Sequence, residues 1–213
     1  MHSAAPWVCL DLRRRAPVSV IVRLIGLSAA ALLTACVTAP RPAVPSAEWS
    51  ERLGALQAIR HFQLQGRIAA SNGQEGFSAG LRWLQQDADS SIDLAAPLGF
   101  GAAHIERSTQ TLQVTTSKGV TLSDEAATEQ LRASLGFDAP FDSLRYWLLG
   151  ASAPASSAQP TLDAQQRLIH LEQAGWKIDL ADYQFVQQQW LPRRLTVTRE
   201  ALRLRVVIDS WQL

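Results

Sequence analysis

Side chains able to do covalent chemistry are scarce in this chain of 213 residues: two cysteines, Cys9 and Cys36, and four histidines. A thiolate can attack, ligate a metal or form a disulfide, and it can also carry a lipid through a thioether. Cys36 ends the string Leu33-Thr34-Ala35-Cys36, the last residues of an apolar run. His104 and His170 fall at polar phases of alternating segments and His61 precedes one, so all three read as solvated. Asp87/Asp89 flank a turn, whereas Asp124/Glu125 open a helical stretch, where acids suit the helix dipole. No G-x-x-x-x-G-K-[ST] loop, no H-E-x-x-H and no G-x-S-x-G occurs, and no metal-ligand cluster is visible. The chain reads as a non-enzyme without cofactor or metal.

The surroundings of Cys36 explain what its thiol is for. Arg13, Arg14, Arg15 and Arg23 precede an uncharged run over residues 24–35. A positive region, a short apolar region and a small-residue exit make a secretory signal peptide. The run is too short to span a bilayer, which takes roughly 20 apolar residues. Leu33 suits an ordinary cleavage site poorly, but the four residues match the bacterial lipobox, in which the cysteine becomes the acylated first residue. Residues 1–35 are therefore assigned to the signal and Cys36 to the lipid anchor. The remaining 178 residues carry 16 basic and 18 acidic groups, a formal charge of −2. Nothing in that balance favours nucleic acid, which wants a clustered basic face. With Cys9 removed and Cys36 acylated, no thiol is left for a disulfide or catalysis.

Residues 36–45 contain Pro40, Pro42 and Pro45 and predict an extended lipidated tether. A single domain over residues 46–213 follows. Ser46 can cap a helix reaching about residue 59, with Trp49, Leu53 and Leu56 on one face. Phe62, Leu64, Gly66 and Ile68 then alternate with polar residues, Asn72-Gly73 marks a turn, and Phe77, Ala79, Leu81 and Trp83 resume the period of two. Shorter strands are predicted around Ile92/Leu94, Ala103/Ile105 and Leu112/Val114. A helix over 124–135, with Ser123 as its cap, and a short one from 140 or 142 to 149 precede a Ser/Ala/Pro loop over 151–160. Strands over 167–173, 176–182, 195–199 and 202–211 close the chain. Many short alternating strands mean an antiparallel sheet with one apolar and one wet face. Such a sheet tends to curl, and amphipathic helices must cover its apolar face.

The apolar phases of Leu81, Trp83, Ile92, Leu94, Ile105 and Val114, with Trp147 on the short helix, define a candidate ligand cavity. The same pattern would equally serve an ordinary packed core, and periodicity does not choose between them. A second feature is Pro97-Leu98-Gly99-Phe100-Gly101. Tight connections rich in Gly and Pro are usually polar at the tip, and Leu98 and Phe100 break that rule.

The lipobox, the early amphipathic helix, Ala96-Pro97-Leu98-Gly99, Ser143-Leu144-Arg145-Tyr146-Trp147-Leu148-Leu149-Gly150, Gly175-Trp176-Lys177-Ile178, Leu191-Pro192 and the closing strand occur in this order. Together they resemble the outer-membrane lipoprotein receptor family LolB, over nearly the whole stretch from Trp49 to Trp211. The resemblance implies a mainly β fold: a strongly curved, open antiparallel half-barrel with helices over an apolar concave face. It implies acylated lipoprotein cargo received from a soluble periplasmic carrier of the LolA kind and inserted in the inner leaflet of the outer membrane. It also casts Leu98, with Phe100 beside it, as a membrane-delivery loop. Phe100-Gly101 after Gly99 departs from the family pattern by adding a second large apolar side chain. Val37 after the acylated cysteine agrees with an outer-membrane destination. The competing reading is a lipid-anchored envelope protein that binds acyl chains without delivering them.

Overall fold

A computed structural model of the chain describes residues 46–96, 101–135 and 138–213. The signal, Cys36, the tether and the Leu98/Phe100 tip lie outside the described residues. Helix α1 (Ala47–Gln57) begins where Ser46 Oγ accepts the Trp49 N–H at 3.1 Å, and it buries Trp49 and Leu56. That bond satisfies one of the orphan donors of a helix start.

A first meander follows: β1 (His61–Ser71), β2 (Gly76–Gln86), β3 (Asp89–Ala95), β4 (Ala102–Arg107), β5 (Leu112–Thr116) and β6 (Thr121–Ser123). Helices α2 (Asp124–Leu135) and α3 (Phe141–Leu148) intervene before the second meander. That comprises β7 (Ala158–Leu162), β8 (Leu168–Gln173), β9 (Trp176–Val186), β10 (Gln189–Arg199) and β11 (Leu202–Gln212). All eleven strands form one antiparallel sheet in the order β6-β5-β4-β3-β2-β1-β11-β10-β9-β8-β7. Only β1 and β11 are neighbours without being consecutive, so this one long-range ladder joins the two meanders. The sheet is open, with β6 and β7 as its edges, and curls into a half-barrel whose concave face the helices cover.

The β1–β11 seam depends on a glycine. Its register shifts between Gln65 and Gly66, and a Cβ on Gly66 would lie 2.1 Å from the Val207 carbonyl oxygen. A bulge with that close an approach of two backbones admits no side chain. Helix α3 ties the halves together from the concave side. Its Phe141 ring lies 6.4 Å from Trp83 on β2, and its Trp147 ring lies 6.3 Å from Trp176 on β9. Leu144, Trp147 and Leu148 are all buried. Gly150 ends the helix at φ +80°, where an added Cβ would meet the Tyr183 hydroxyl at 3.1 Å.

Several elements differ from the sequence expectation. Ser123 does not cap α2; it ends β6 opposite Gln113, and Asp124 starts the helix at φ +50° with its carboxylate accepting from the Leu112 N–H. Residues 158–160, expected in a loop, begin the edge strand β7, a short strand of five residues that alternates only between partly buried and exposed side chains. Strands β9 and β10 extend well beyond 182 and 195. Asp182 adopts φ +55° and breaks the period of β9. Pro192 stands in β10 beyond the ladder to β11, which starts at Arg194, a place where proline forfeits no ladder bond on that side.

Candidate functional site

Cross-strand pairing sorts the candidate cavity residues into two rows. Leu64, Trp83, Ile92, Ile105, Val114 and Leu122 are successive partners from β1 to β6. Trp83, Ile92, Ile105 and Val114 in this row are at most 3% exposed. Trp83, Ile92 and Ile105 are packed core, while Val114, equally buried, also borders the apolar cleft lined by Leu94. The next row runs Leu81, Leu94, Ala103 and Thr116. Leu81 is buried, but Leu94 is only partly so, because its neighbours are small.

Ala79, Ala96, Ala102 and Ala103 leave room that larger residues would fill, and a cleft of about 340 Å³ opens there. Phe77, Leu94 and Val114 line its sheet side, and Leu131 of α2 lines its helical side. Ligand sites of this kind are mostly apolar with few polar groups and span ~300–1,000 Å³. Gly101 completes the lining, and the Ala96 N–H donates to the Gly101 carbonyl at 2.8 Å across the base of the 97–100 connection. The cleft mouth therefore adjoins, in sequence, the Leu98/Phe100 tip. A second concavity of about 390 Å³ is lined by Gln86, Asp89, Ser90, Glu106 and Arg107, a lining unsuited to acyl chains.

Trp147 is placed elsewhere. It is fully buried against β8 and β9, in the half of the sheet away from the cleft, and its indole N–H donates to Gln173 Oε1 at 2.9 Å. Gln173 also accepts from the Ala153 N–H and donates to the Ala153 and Ser156 carbonyls. A parallel arrangement serves Trp83, whose indole N–H donates to Gln85 Oε1 at 3.0 Å while Gln85 Nε2 donates to the Asp87 and Asp89 carbonyls. Sequence reasoning missed both glutamines. The signal was there: each stands at the inward phase, two residues after Trp83 or Leu171.

A polar group also escaped notice where α1 meets the β7–β8 and β9–β10 hairpins. Burial pushes the Tyr183 phenol well above its ordinary range, and its hydroxyl donates to the Leu168 carbonyl. Burial likewise lowers the Arg52 guanidinium from its usual value, while its NH2 group donates to the Trp190 carbonyl at 2.7 Å. Asp163 would be raised by burial, but N–H groups of Arg167 and Gln165 outweigh this and hold its carboxyl below the usual value. On the outer face, His104 Nδ1 lies 2.7 Å from Asp93 and Nε2 lies 3.3 Å from Glu106. No group of His, Cys, Asp and Glu among the described residues could hold a metal ion.

The fold is shared with a solved LolA superfamily protein from Nitrosomonas europaea, which superposes with a TM-score of 0.51, at 10% identity, over 80% of this chain and 94% of its own. Residues 60–211 match the family described as outer membrane lipoprotein LolB. The outer-membrane lipoprotein LolB of Nitrosococcus oceani is 36% identical, over 85% of this chain and 92% of its own length. That of Alkalilimnicola ehrlichii is 34% identical over 89% and 96%, and that of Pseudomonas syringae pv. syringae 30% identical over 89% and 95%. The chain belongs to the outer-membrane lipoprotein LolB family.

Proposed function

We propose that this chain is a lipid-anchored outer-membrane receptor that takes acylated lipoproteins from a soluble periplasmic carrier and inserts them into the inner leaflet. The observation that carries the reading is the apolar cleft at the open end of β2–β5, roofed by α2 and adjoining the 97–100 connection. Family membership supports the destination. Cys36 holds the anchor, and Leu98 with Phe100 forms the tip that touches the bilayer.

The physics of the cargo sets the terms. At about 0.8 kcal/mol per buried CH₂, three acyl chains of about 15 methylenes each represent on the order of 30 kcal/mol of water avoidance. Such a cargo cannot cross an aqueous space unaided. Without an energy source of its own, the receptor passes it down a gradient of affinity, holding acyl chains more tightly than the carrier does and less tightly than the bilayer. A shallow, partly open cleft suits that intermediate strength better than an enclosed cavity.

Depletion in the native cell tests the reading. Lipoproteins should accumulate on the soluble carrier, and Leu98→Glu protein should relieve none of that block while still taking up cargo in vitro. Normal lipoprotein sorting on depletion would instead favour an acyl-binding protein without a delivery role.

A further inference from the structure

The end of the domain opposite the cleft carries its own apolar feature. Phe185 on β9 and Trp190 on β10 are cross-strand partners with ring centroids 5.3 Å apart. They remain 62% and 40% exposed, and no large hydrophobic side chain among the described residues is more exposed than Phe185. Between them the hairpin turns through Gln187 and Gln188, both at positive φ, the form of a tight two-residue turn. A water-facing pair of aromatic rings at a hairpin tip forgoes burial that rings strongly favour, so something covers it.

What covers it follows from where the chain leaves the domain. Ser46 Oγ bonds Gln166 Oε1 at the β7–β8 turn; the neighbouring Arg167 guanidinium lies 5.6 Å from the Trp190 ring, and Arg52 of α1 bonds the Trp190 carbonyl. Ser46 thus starts beside the aromatic tip. Ser46 follows Cys36 by ten positions, a reach of at most ~35 Å. With Cys36 as the anchor, this is the end of the domain at which the tether joins it to the bilayer. Aromatic rings beside cationic side chains are what the headgroup region of a membrane accommodates.

We infer that the Phe185/Trp190 hairpin is a membrane-seating element that docks the resting receptor on the phospholipid headgroup region. The inference rests on the lipid-anchor reading of Cys36. Register places the Ala96/Gly101 base at the other end of the strands from Trp190. Seated in this way, the receptor turns its cleft mouth away from the membrane, toward arriving cargo, and must tip to deliver.

The acylated chain has no free thiol once residues 1–35 are gone, so Gln188→Cys can carry a nitrobenzoxadiazole dye. In vesicles of phosphatidylethanolamine and phosphatidylglycerol containing doxyl-labelled lipid, emission at 188 should be quenched. A dye on Ala201→Cys, in the turn at the opposite end, should not be. The Cys36→Ala chain reads the tip without its anchor: it should float with the same vesicles, and Phe185→Ser/Trp190→Ser should weaken that partition roughly tenfold. Phe185→Ser alone, at the more exposed ring, should show part of the loss with an unchanged melting curve. Absence of fatty-acid label on Cys36 would sink the anchor reading, and the difference in flotation between the Cys36→Ala chain and its Phe185→Ser/Trp190→Ser variant would then still report on the hairpin, separately from Leu98 and Phe100, which that variant keeps. An unquenched dye at 188, or one shielded only when a protein partner is added, would overturn membrane seating.

Discussion

The indole N–H of Trp147 on α3 donates to the amide oxygen of Gln173 at the end of β8, 26 residues away and 2.9 Å distant, with both side chains buried. This one bond fixes α3 against the second meander, and Gln173 spends its remaining capacity on the backbone of residues 153 and 156. Gln173→Leu would leave an indole N–H, an amide N–H and two carbonyls without partners. An unsatisfied buried group costs about 1–3 kcal/mol. Urea denaturation should therefore show a loss of roughly 3 kcal/mol or more. A loss under about 1 kcal/mol would mean that water reaches the site.

How much of this was legible depends on period. Where alternation ran unbroken, as from Phe62 to Trp83, strand, face and turn could all be read. It failed at β7, which has only five residues, includes Pro160 and buries none of them fully, and at the tips of β9 and β10, where Asp182 and Pro192 interrupt the pattern. Leu94 and Val114 stood out as apolar candidates, yet the cleft exists because of Ala79, Ala96, Ala102 and Ala103. Small residues carry no signal of the space they leave. Nor could spacing reveal that Trp147 packs on the other half of the sheet.

Two glycine substitutions should behave oppositely. Gly66→Ala places a methyl against the Val207 carbonyl at the β1–β11 seam. Overpacking of this kind typically costs about 1–3 kcal/mol, and a backbone obstacle puts it at the upper end. Gly54 lies in α1 with open space around its would-be Cβ. Gly54→Ala should raise stability by up to about 1 kcal/mol through helix propensity. Thermal melts of the two variants would check both signs.

His104 gives the protein a modest pH dependence. Chiefly through its hydrogen bond to Asp93, against a smaller effect of burial, its pKa is raised above the usual 6.5. A raised folded value means stability that is fully present below the unfolded pKa and is lost as pH rises through the folded one. The ring is 39% exposed, so solvent screens the pair and the change in melting temperature will be small. Asp93→Asn should lower the His104 titration midpoint measured by NMR and flatten the melting profile above pH ~6.5. An unaltered midpoint in Asp93→Asn would remove Asp93 as the cause.

Leu94 and Ile92 lie two residues apart on β3, and both face the concave side, yet a charge should affect them differently. Ile92 is 3% exposed between Trp83 and Ile105. An uncompensated buried charge costs about 3–5 kcal/mol, a large share of the ~5–15 kcal/mol that holds a domain together. Ile92→Glu should unfold the protein or bring it close to unfolding. Leu94 instead borders the cleft among alanines, where a carboxylate can rotate toward water. Leu94→Glu should keep the circular dichroism spectrum and nearly the wild-type melting temperature, and lose most binding of a fluorescent acyl probe. If the two variants unfold alike, the cleft is part of a filled core and the acyl site lies elsewhere. If Leu94→Glu folds and binds the probe as wild type does, the cleft is real but does not hold acyl chains. Only a folded variant with weakened binding supports the receptor site drawn here.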